Sequence, residues 1–154
     1  MQDLRELYQE VIIDHSRHPR NFEELTTANR HADGFNRLCG DKLTLYLEMD
    51  QGVIKNISFK GSGCAISTAS ASLMTERLKG KTQQEAEKIF ADFHELLTAK
   101  QLPQELMAPL GKLTVLAGVR EFPARIKCAT LAWHTFHAAL TNEQQAVSTE
   151  EPNI

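Results

Sequence analysis

Three cysteines and one aspartate are the residues of this sequence best suited to chemistry. Cys39 and Asp41 flank Gly40, while Cys64 and Cys128 lie farther along the chain. Three thiolates and one carboxylate satisfy a tetrahedral Zn²⁺ ion, and Gly40 permits the tight turn that would aim its two neighbours at one centre. The residues alone leave two interpretations open, a metal site or buried structural thiols beside a turn.

Each cysteine is predicted at or near the boundary of a secondary-structure element, where ligands and nucleophiles are common. Cys39 lies in a loop before a strand, Cys64 opens a helix, and Cys128 lies about one turn into the last helix. The helix dipole should lower the pKa of Cys64, and the nearby Arg125 and Lys127 should favour thiolate at Cys128. Cys64 and Cys128 are therefore expected to ionise readily.

The hydrophobic pattern of the first half predicts a helix, a set of strands and a second helix. The first helix should stop before His18-Pro19, because a residue that precedes proline avoids the helical region. Alternation over 42–49 and 53–61, around a turn at 50–52, predicts a hairpin, and a strand around 31–37 would precede it. A helix from about 64 to 79 follows.

The second half is predicted to be helical. Thr82 caps a helix that runs to Leu97, with Glu85 three residues after the cap. A proline-containing connection leads to a segment that is helical to about Val119, and the last helix runs from Pro123 to about Asn142. We expect one domain over 1–142 and a flexible tail over 143–154.

Composition and charge narrow the class of protein. The 154 residues suffice for one domain with its own core, and a net charge of −3 gives no reason to expect nucleic-acid binding. The sequence has no apolar run of about 20 residues and no signal-peptide pattern at its N-terminus, so we expect a cytoplasmic protein that does not enter membranes. The six histidines are interpreted as surface or core-edge residues.

The chain resembles the IscU/NifU-N superfamily of iron–sulfur cluster assembly proteins, and most closely its SufU branch. The likeness covers about residues 3–141 and rests on four segments in the same order. These are LYQEVIIDHSRHPRN, NRLCGD, FKGSGCAISTASASLMTE and FPARIKCATLAWHTF.

The resemblance implies an α+β fold of the SufE/NifU-like kind, with a three-stranded antiparallel sheet and helices packed on one face. It also implies a zinc site made by Cys39, Asp41, Cys64 and Cys128. In SufU proteins the partner is a pyridoxal-phosphate cysteine desulfurase of the SufS type, and the sulfur passes on to downstream Suf assembly proteins. By the same likeness, Cys39 is the persulfide acceptor and Arg125 is a functional neighbour of the metal.

Three departures from IscU favour a sulfurtransferase. Lys127 stands where IscU has a histidine before the third cysteine, the segment between Cys64 and Cys128 is longer around 82–108, and FPARIK replaces a proline-rich chaperone motif. The leading hypothesis is a zinc-dependent sulfurtransferase. The alternatives are a scaffold that builds a transient [2Fe–2S] cluster on the same ligands and a binding module with structural zinc.

Overall fold

The computed structural model describes residues 4–141 and 147–149, which form an α+β fold. Five α-helices, one 3₁₀ helix and four strands follow in chain order within the described residues. They are α1 (Leu4–Arg17), β1 (Arg30–Asn36), β2 (Asp41–Asp50), β3 (Val53–Ser62), α2 (Ala65–Leu78), α3 (Gln83–Thr98), α4 (Gln104–Leu110), the 3₁₀ helix (Gly111–Glu121), α5 (Pro123–Leu140) and β4 (Val147–Ser148).

The sheet has the strand order β3-β2-β1-β4. The predicted three antiparallel strands are present: β2 pairs antiparallel with β1 on one side and with β3 on the other. A short fourth strand, β4, pairs parallel with β1, which makes the sheet mixed. This strand lies within the predicted tail, most of which is outside the described residues, so the domain boundary at 142 stays a prediction.

The core lies between the sheet and the helices, because alternate residues of β2 face inward. Leu43, Leu45 and Leu47 are buried, whereas the residues between them are more exposed. Helix α5 packs across β1 and β2 and also contacts α2. The Thr135 side chain of α5 packs directly on β1 at Gly34, since a Cβ on that glycine would lie 2.0 Å from Thr135 Oγ1.

Two segments of the second half differ from expectation. The predicted connection contains the short helix α4, and the segment predicted to be helical to Val119 is a 3₁₀ helix, Gly111–Glu121. Gly111 separates the two with a φ of +54°. A glycine in this region ends the α-helix, and the chain resumes with tighter winding.

The predicted cap of α3 is confirmed as a full capping box. Thr82 Oγ1 accepts the Glu85 N–H at 3.1 Å, and Glu85 Oε1 accepts the Thr82 N–H at 2.9 Å. We expect Thr82→Ala to lower the free energy of unfolding by about 1 kcal/mol, because the Glu85 N–H loses the side-chain oxygen that accepts its hydrogen bond. Urea unfolding measures the change in the free energy of unfolding. Thr82→Ser keeps the hydroxyl acceptor and should remain near wild type. Equal losses of stability in both variants would show that the cap is not the cause.

His15 joins α1 to α2 in the buried interior. Ser72 Oγ accepts the Arg20 N–H at 2.8 Å and lies 2.7 Å from His15 Nδ1, an arrangement in which the hydroxyl donates to a neutral imidazole. Burial lowers the pKa of His15, and the positive charges of Arg20 and Lys112 lower it further. The folded protein therefore favours the uncharged ring.

Acidification is expected to destabilise the fold through His15. Below the ordinary histidine pKa of about 6.5, the unfolded chain takes up a proton that the folded chain resists, so the free energy of unfolding falls as pH falls. Urea unfolding at about pH 7 and about pH 5 should show a larger loss for wild type than for His15→Gln. The exposed His18→Gln is the control and should follow wild type; parallel profiles for all three proteins would contradict this.

No helix among the described residues is long and apolar enough to span a bilayer.

Candidate metal centre

The four predicted ligands come from the β1–β2 turn, the start of β2 and the N-terminal parts of α2 and α5. Cys39 lies in the turn, where Gly40 adopts a φ of +71°, in the left-handed region that glycine enters without a Cβ clash. Asp41 is the first residue of β2, Cys64 is the N-cap of α2, and Cys128 lies in the second turn of α5. The predicted turn geometry at Gly40 is confirmed.

The thiols and the carboxylate lie close together. Cys39 Sγ is 3.0 Å from Cys128 Sγ, and Cys64 Sγ is 3.9 Å from Asp41 Oδ2. The donor atoms of Cys39, Asp41 and Cys128 all lie within 4.8 Å of one another. Cys64 falls outside that group of three but adjoins it through Asp41.

The spacing and the donor types fit a zinc ion. At Zn–S bonds of about 2.3 Å, two thiolates on a tetrahedral ion lie roughly 3.8 Å apart, and a thiolate and a carboxylate oxygen roughly 3.6 Å. The observed distance of 3.0 Å between the Cys39 and Cys128 sulfurs is shorter than the first value. The observed distance of 3.9 Å between Cys64 Sγ and Asp41 Oδ2 is slightly longer than the second. Cys39 is exposed on its turn, so its sulfur has room for the outward shift that the ion requires.

Asp41 is buried and oriented by α2. It is 1% exposed, and its Oδ1 accepts the backbone N–H of Cys64 at 2.8 Å. The bond ties the start of β2 to the start of α2 and leaves Oδ2 directed at the Cys64 thiol. A buried carboxylate with one oxygen fixed in this way is well prepared to offer the other to a metal.

The pKa values of two thiols move in opposite directions. A hydrogen bond from the Cys128 thiol, aided by the Ser67 N–H at the start of α2, lowers the pKa of Cys64 to about 7. The same interaction with Cys64, followed by burial, raises the pKa of Cys128. The expectation for Cys64 is confirmed in direction. The expectation that Arg125 and Lys127 would lower the pKa of Cys128 is wrong in direction, because the contact with Cys64 and burial raise it.

A model of the NifU-like N-terminal domain matches residues 7–129, which include all four predicted ligands. The chain belongs to this family. The resemblance inferred from the four sequence segments is therefore confirmed.

Curated relatives of this NifU-like chain carry two different names. The zinc-dependent sulfurtransferase SufU of Bacillus subtilis is 37% identical over 92% of this chain and 95% of its own length. The iron–sulfur cluster assembly scaffold protein IscU of Streptococcus pyogenes is 36% identical over 98% of this chain and 93% of its own. Identity alone does not separate these two names.

Solved structures share the NifU-like fold. One, from Fervidobacterium islandicum, is described as a cluster assembly scaffold protein for the SUF system; it has a TM-score of 0.78 and 33% identity, and the match covers 90% of this chain and 99% of that one. The N-terminal part of a NifU-like protein from Brucella abortus has a TM-score of 0.75 at 22% identity, over 90% of this chain and 95% of that one. The predicted α+β class is confirmed.

Arg125 lies in the first turn of α5, one turn before Cys128. Its guanidinium stacks over the Phe122 ring, 4.5 Å from the ring centre, and its side chain is exposed. Among the contacts of the described residues, none joins Arg125 to the thiols. Its role beside the metal stays a prediction.

Two further residues of the NifU-like site were not assigned a role from the sequence. Asn36, which is 1% exposed, places Nδ2 3.9 Å from Cys128 Sγ and accepts the Leu38 N–H with Oδ1 at 3.2 Å. A Cβ on Gly63 would lie only 2.7 Å from Asp41 Oδ1. Two features of the sequence could have pointed to them: Asn36 is a polar residue at the end of β1, and Gly63 is the second of two glycines before Cys64.

Proposed function

We propose that this protein is an iron–sulfur cluster assembly protein that acts as a zinc-dependent sulfurtransferase. It would accept persulfide sulfur from a pyridoxal-phosphate cysteine desulfurase of the SufS type and relay it to downstream Suf assembly proteins. Cys39, Asp41, Cys64 and Cys128 would hold the zinc. The proposal rests on the exposure of one thiol within an otherwise covered group of ligands.

Cys39 is the thiol that a partner enzyme can reach. It is exposed on the turn, whereas Cys64 is half-buried and Cys128 is buried. Its neighbour Leu38 is 74% exposed, a high value for a large apolar side chain. An exposed thiol beside an exposed apolar side chain suits transfer between two proteins, because the reactive atom lies on the contact surface.

The transfer needs no oxidant or reductant. The Cys39 thiolate attacks the terminal sulfur of the desulfurase persulfide, a new S–S bond forms on Cys39, and the desulfurase cysteine leaves as a thiolate. Attack requires the ionised form, since a free thiol with a pKa of about 8.5 is mostly protonated at neutral pH. Zinc, when bound, keeps coordinated thiols deprotonated.

The other ligands hold the site in place while Cys39 reacts. Cys64 and Cys128 belong to helices that pack against each other, and Asp41 is fixed by the Cys64 N–H. A hard carboxylate among soft thiolates binds zinc less permanently than a fourth thiolate would, so the centre can exchange a ligand. Because Cys39 is exposed on a turn, whereas the other three ligands are half-buried or buried, its release disturbs the fold least.

The test is to locate the transferred sulfur. The protein is mixed with a SufS-type desulfurase and cysteine, the thiols are alkylated without reduction, and peptides are analysed by mass spectrometry. We expect the mass of one additional sulfur atom on the peptide that contains Cys39. Additional sulfur on Cys64 or Cys128 alone, or on no cysteine, would contradict the proposal.

A second candidate is a scaffold for a [2Fe–2S] cluster, which uses the same thiols. The names of the relatives favour it as well, since IscU of Streptococcus pyogenes is as similar to this chain as SufU of Bacillus subtilis. Metal and sulfide analysis after purification without added iron distinguishes the two. Stoichiometric iron and sulfide with little zinc would favour the scaffold, and stoichiometric zinc the sulfurtransferase.

Removal of zinc tests a third candidate, a binding module with structural zinc. We expect the chelated protein to keep the helical circular dichroism of the zinc-loaded form, because the hydrophobic core between sheet and helices is formed without the four ligands. It should nevertheless lose sulfur acceptance. Unfolding on chelation would instead identify the zinc as structural.

A further inference from the structure

Three histidines and a glutamate line one depression on the surface between α3 and α5. Glu87 and His94 come from α3, His134 and His137 come from α5, and Phe90 and Ala91 form the rest of the lining. His94 and His134 are 40 positions apart in the sequence, yet their ring centres are 6.0 Å apart. The packing of α3 on α5 thus creates a cluster of imidazoles that neither helix contains by itself.

This cluster is separate from the cysteine site. His134 comes six positions after Cys128 on α5, which is about 9 Å along the axis and roughly a third of a turn around it. Cys128 faces β1 and α2, while His134 faces Phe90 of α3. The proposed sulfur transfer does not use these histidines.

His134 has a ring nitrogen that no group among the described residues satisfies. Its Nε2 is buried and has no hydrogen-bond partner among the described residues. Phe90 packs against the ring at 5.3 Å between centres, so apolar surface covers one side of it. A buried nitrogen without a partner is costly unless something else binds it.

The surroundings of His94 favour a lone pair on Nε2. Thr98 Oγ1 donates its proton to the His94 carbonyl at 2.7 Å and lies 3.5 Å from His94 Nδ1. Since that hydroxyl proton is already used, the oxygen is available to accept from Nδ1–H, and this tautomer leaves the lone pair on Nε2. Metal-binding histidines characteristically have their other ring nitrogen oriented by such a partner.

We propose that His94, His134 and His137 form a second metal site, which binds a divalent transition-metal ion that prefers imidazole, with Zn²⁺ as the test ion. Imidazole nitrogen suits zinc, nickel and copper. His134 and His137 are three residues apart and therefore lie on one face of α5. Glu87 supplies a nearby carboxylate that offsets part of the ion's charge.

Binding requires only side-chain rotation. Two imidazoles on one tetrahedral ion have ring centres roughly 5 Å apart when Zn–N is about 2.0 Å, compared with the 6.0 Å between His94 and His134. Among the described residues, only Cys39, Asp41 and Cys128 already have their donor atoms within 4.8 Å. His94 and His137 are half-exposed, so their rings are free to turn toward His134.

The test is a calorimetric titration of Zn²⁺ into protein whose cysteine site is already loaded with zinc. We expect wild type to bind one further equivalent. His94→Gln and His137→Gln should each weaken that event at least about tenfold, because loss of a ligand costs no less than loss of an outer partner. The exposed His31→Gln, which removes a histidine elsewhere, should bind like wild type.

Three results would overturn the second site. The first is that wild type binds no further equivalent of zinc. The second is that His94→Gln and His137→Gln both bind the further equivalent as tightly as wild type. The third is that His31→Gln weakens this binding as much as they do. Circular dichroism of each variant accompanies the titration, so that an unfolded variant is recognised. His94 and His137 are substituted because both rings are half-exposed, so that their loss should not unfold the protein. The outcome is independent of whether Cys39 accepts sulfur.

Discussion

Replacing Cys39 by alanine is expected to abolish the stimulation of a cysteine desulfurase by this protein. The rate of alanine formation should fall at least about tenfold, to the rate of the desulfurase alone, because the variant has no nucleophile to remove the persulfide sulfur. Cys39 is exposed and on a turn, so its loss leaves the core intact. Alanine released per minute, at saturating cysteine, measures the effect.

The adjacent residue provides the control for this experiment. Leu38→Ala changes the same exposed turn but keeps the thiol, and we expect it to weaken the apparent affinity for the desulfurase while leaving the maximal rate near wild type. Undiminished stimulation by Cys39→Ala would show that another group accepts the sulfur. A loss of helical circular dichroism in Cys39→Ala would instead assign a structural role to the site.

Replacing Gly63 by alanine is expected to weaken zinc binding at the cysteine site by about 10–100-fold, the range found when the support of a metal ligand is lost. The new Cβ would lie 2.7 Å from Asp41 Oδ1 and 3.3 Å from its Cα and Cβ. Because Asp41 is buried, its carboxylate cannot simply move into solvent. The hydrogen bond to the Cys64 N–H would break, and Asp41 would turn away from the metal.

Competition with a zinc chelator of known affinity measures this change. Gly118→Ala is the matched control, since a Cβ there meets no atom within 4 Å and the residue lies in the 3₁₀ helix, away from the four ligands. We expect the control to bind zinc like wild type. Equal affinity of Gly63→Ala and wild type would mean that Asp41 does not hold the zinc.

The strands and helices were largely predictable because their causes are local. The alternation of Leu43, Leu45 and Leu47 marks the buried face of β2, and the pair Thr82 and Glu85 marks the start of α3. The 3₁₀ helix was missed because its apolar residues, spaced as in any helix, do not reveal how tightly the backbone is wound.

The contacts of the site were not predictable in the same way. Three cysteines and an aspartate were identified by type and position, but their pairing depends on how α2 and α5 pack beside the β1–β2 turn. The pKa of Cys128 was expected to fall because of the neighbouring cations in the sequence, and it rises because of Cys64, 64 positions away. The residues that set the pKa of Cys128 are close in space and distant in the sequence.

From the sequence alone it was possible to identify the candidate ligands of the cysteine site, most of the helices and strands, and the family to which the chain belongs. These depend on residue type, on hydrophobic period and on motifs that are continuous in the chain. Three contacts became apparent from the folded chain alone: the Cys64 N–H fixes Asp41, Arg125 stacks on Phe122, and His94 lies beside His134. Asp41–Cys64 and His94–His134 join residues far apart in the chain, and the stacking of Arg125 depends on a side-chain conformation that residue type does not specify.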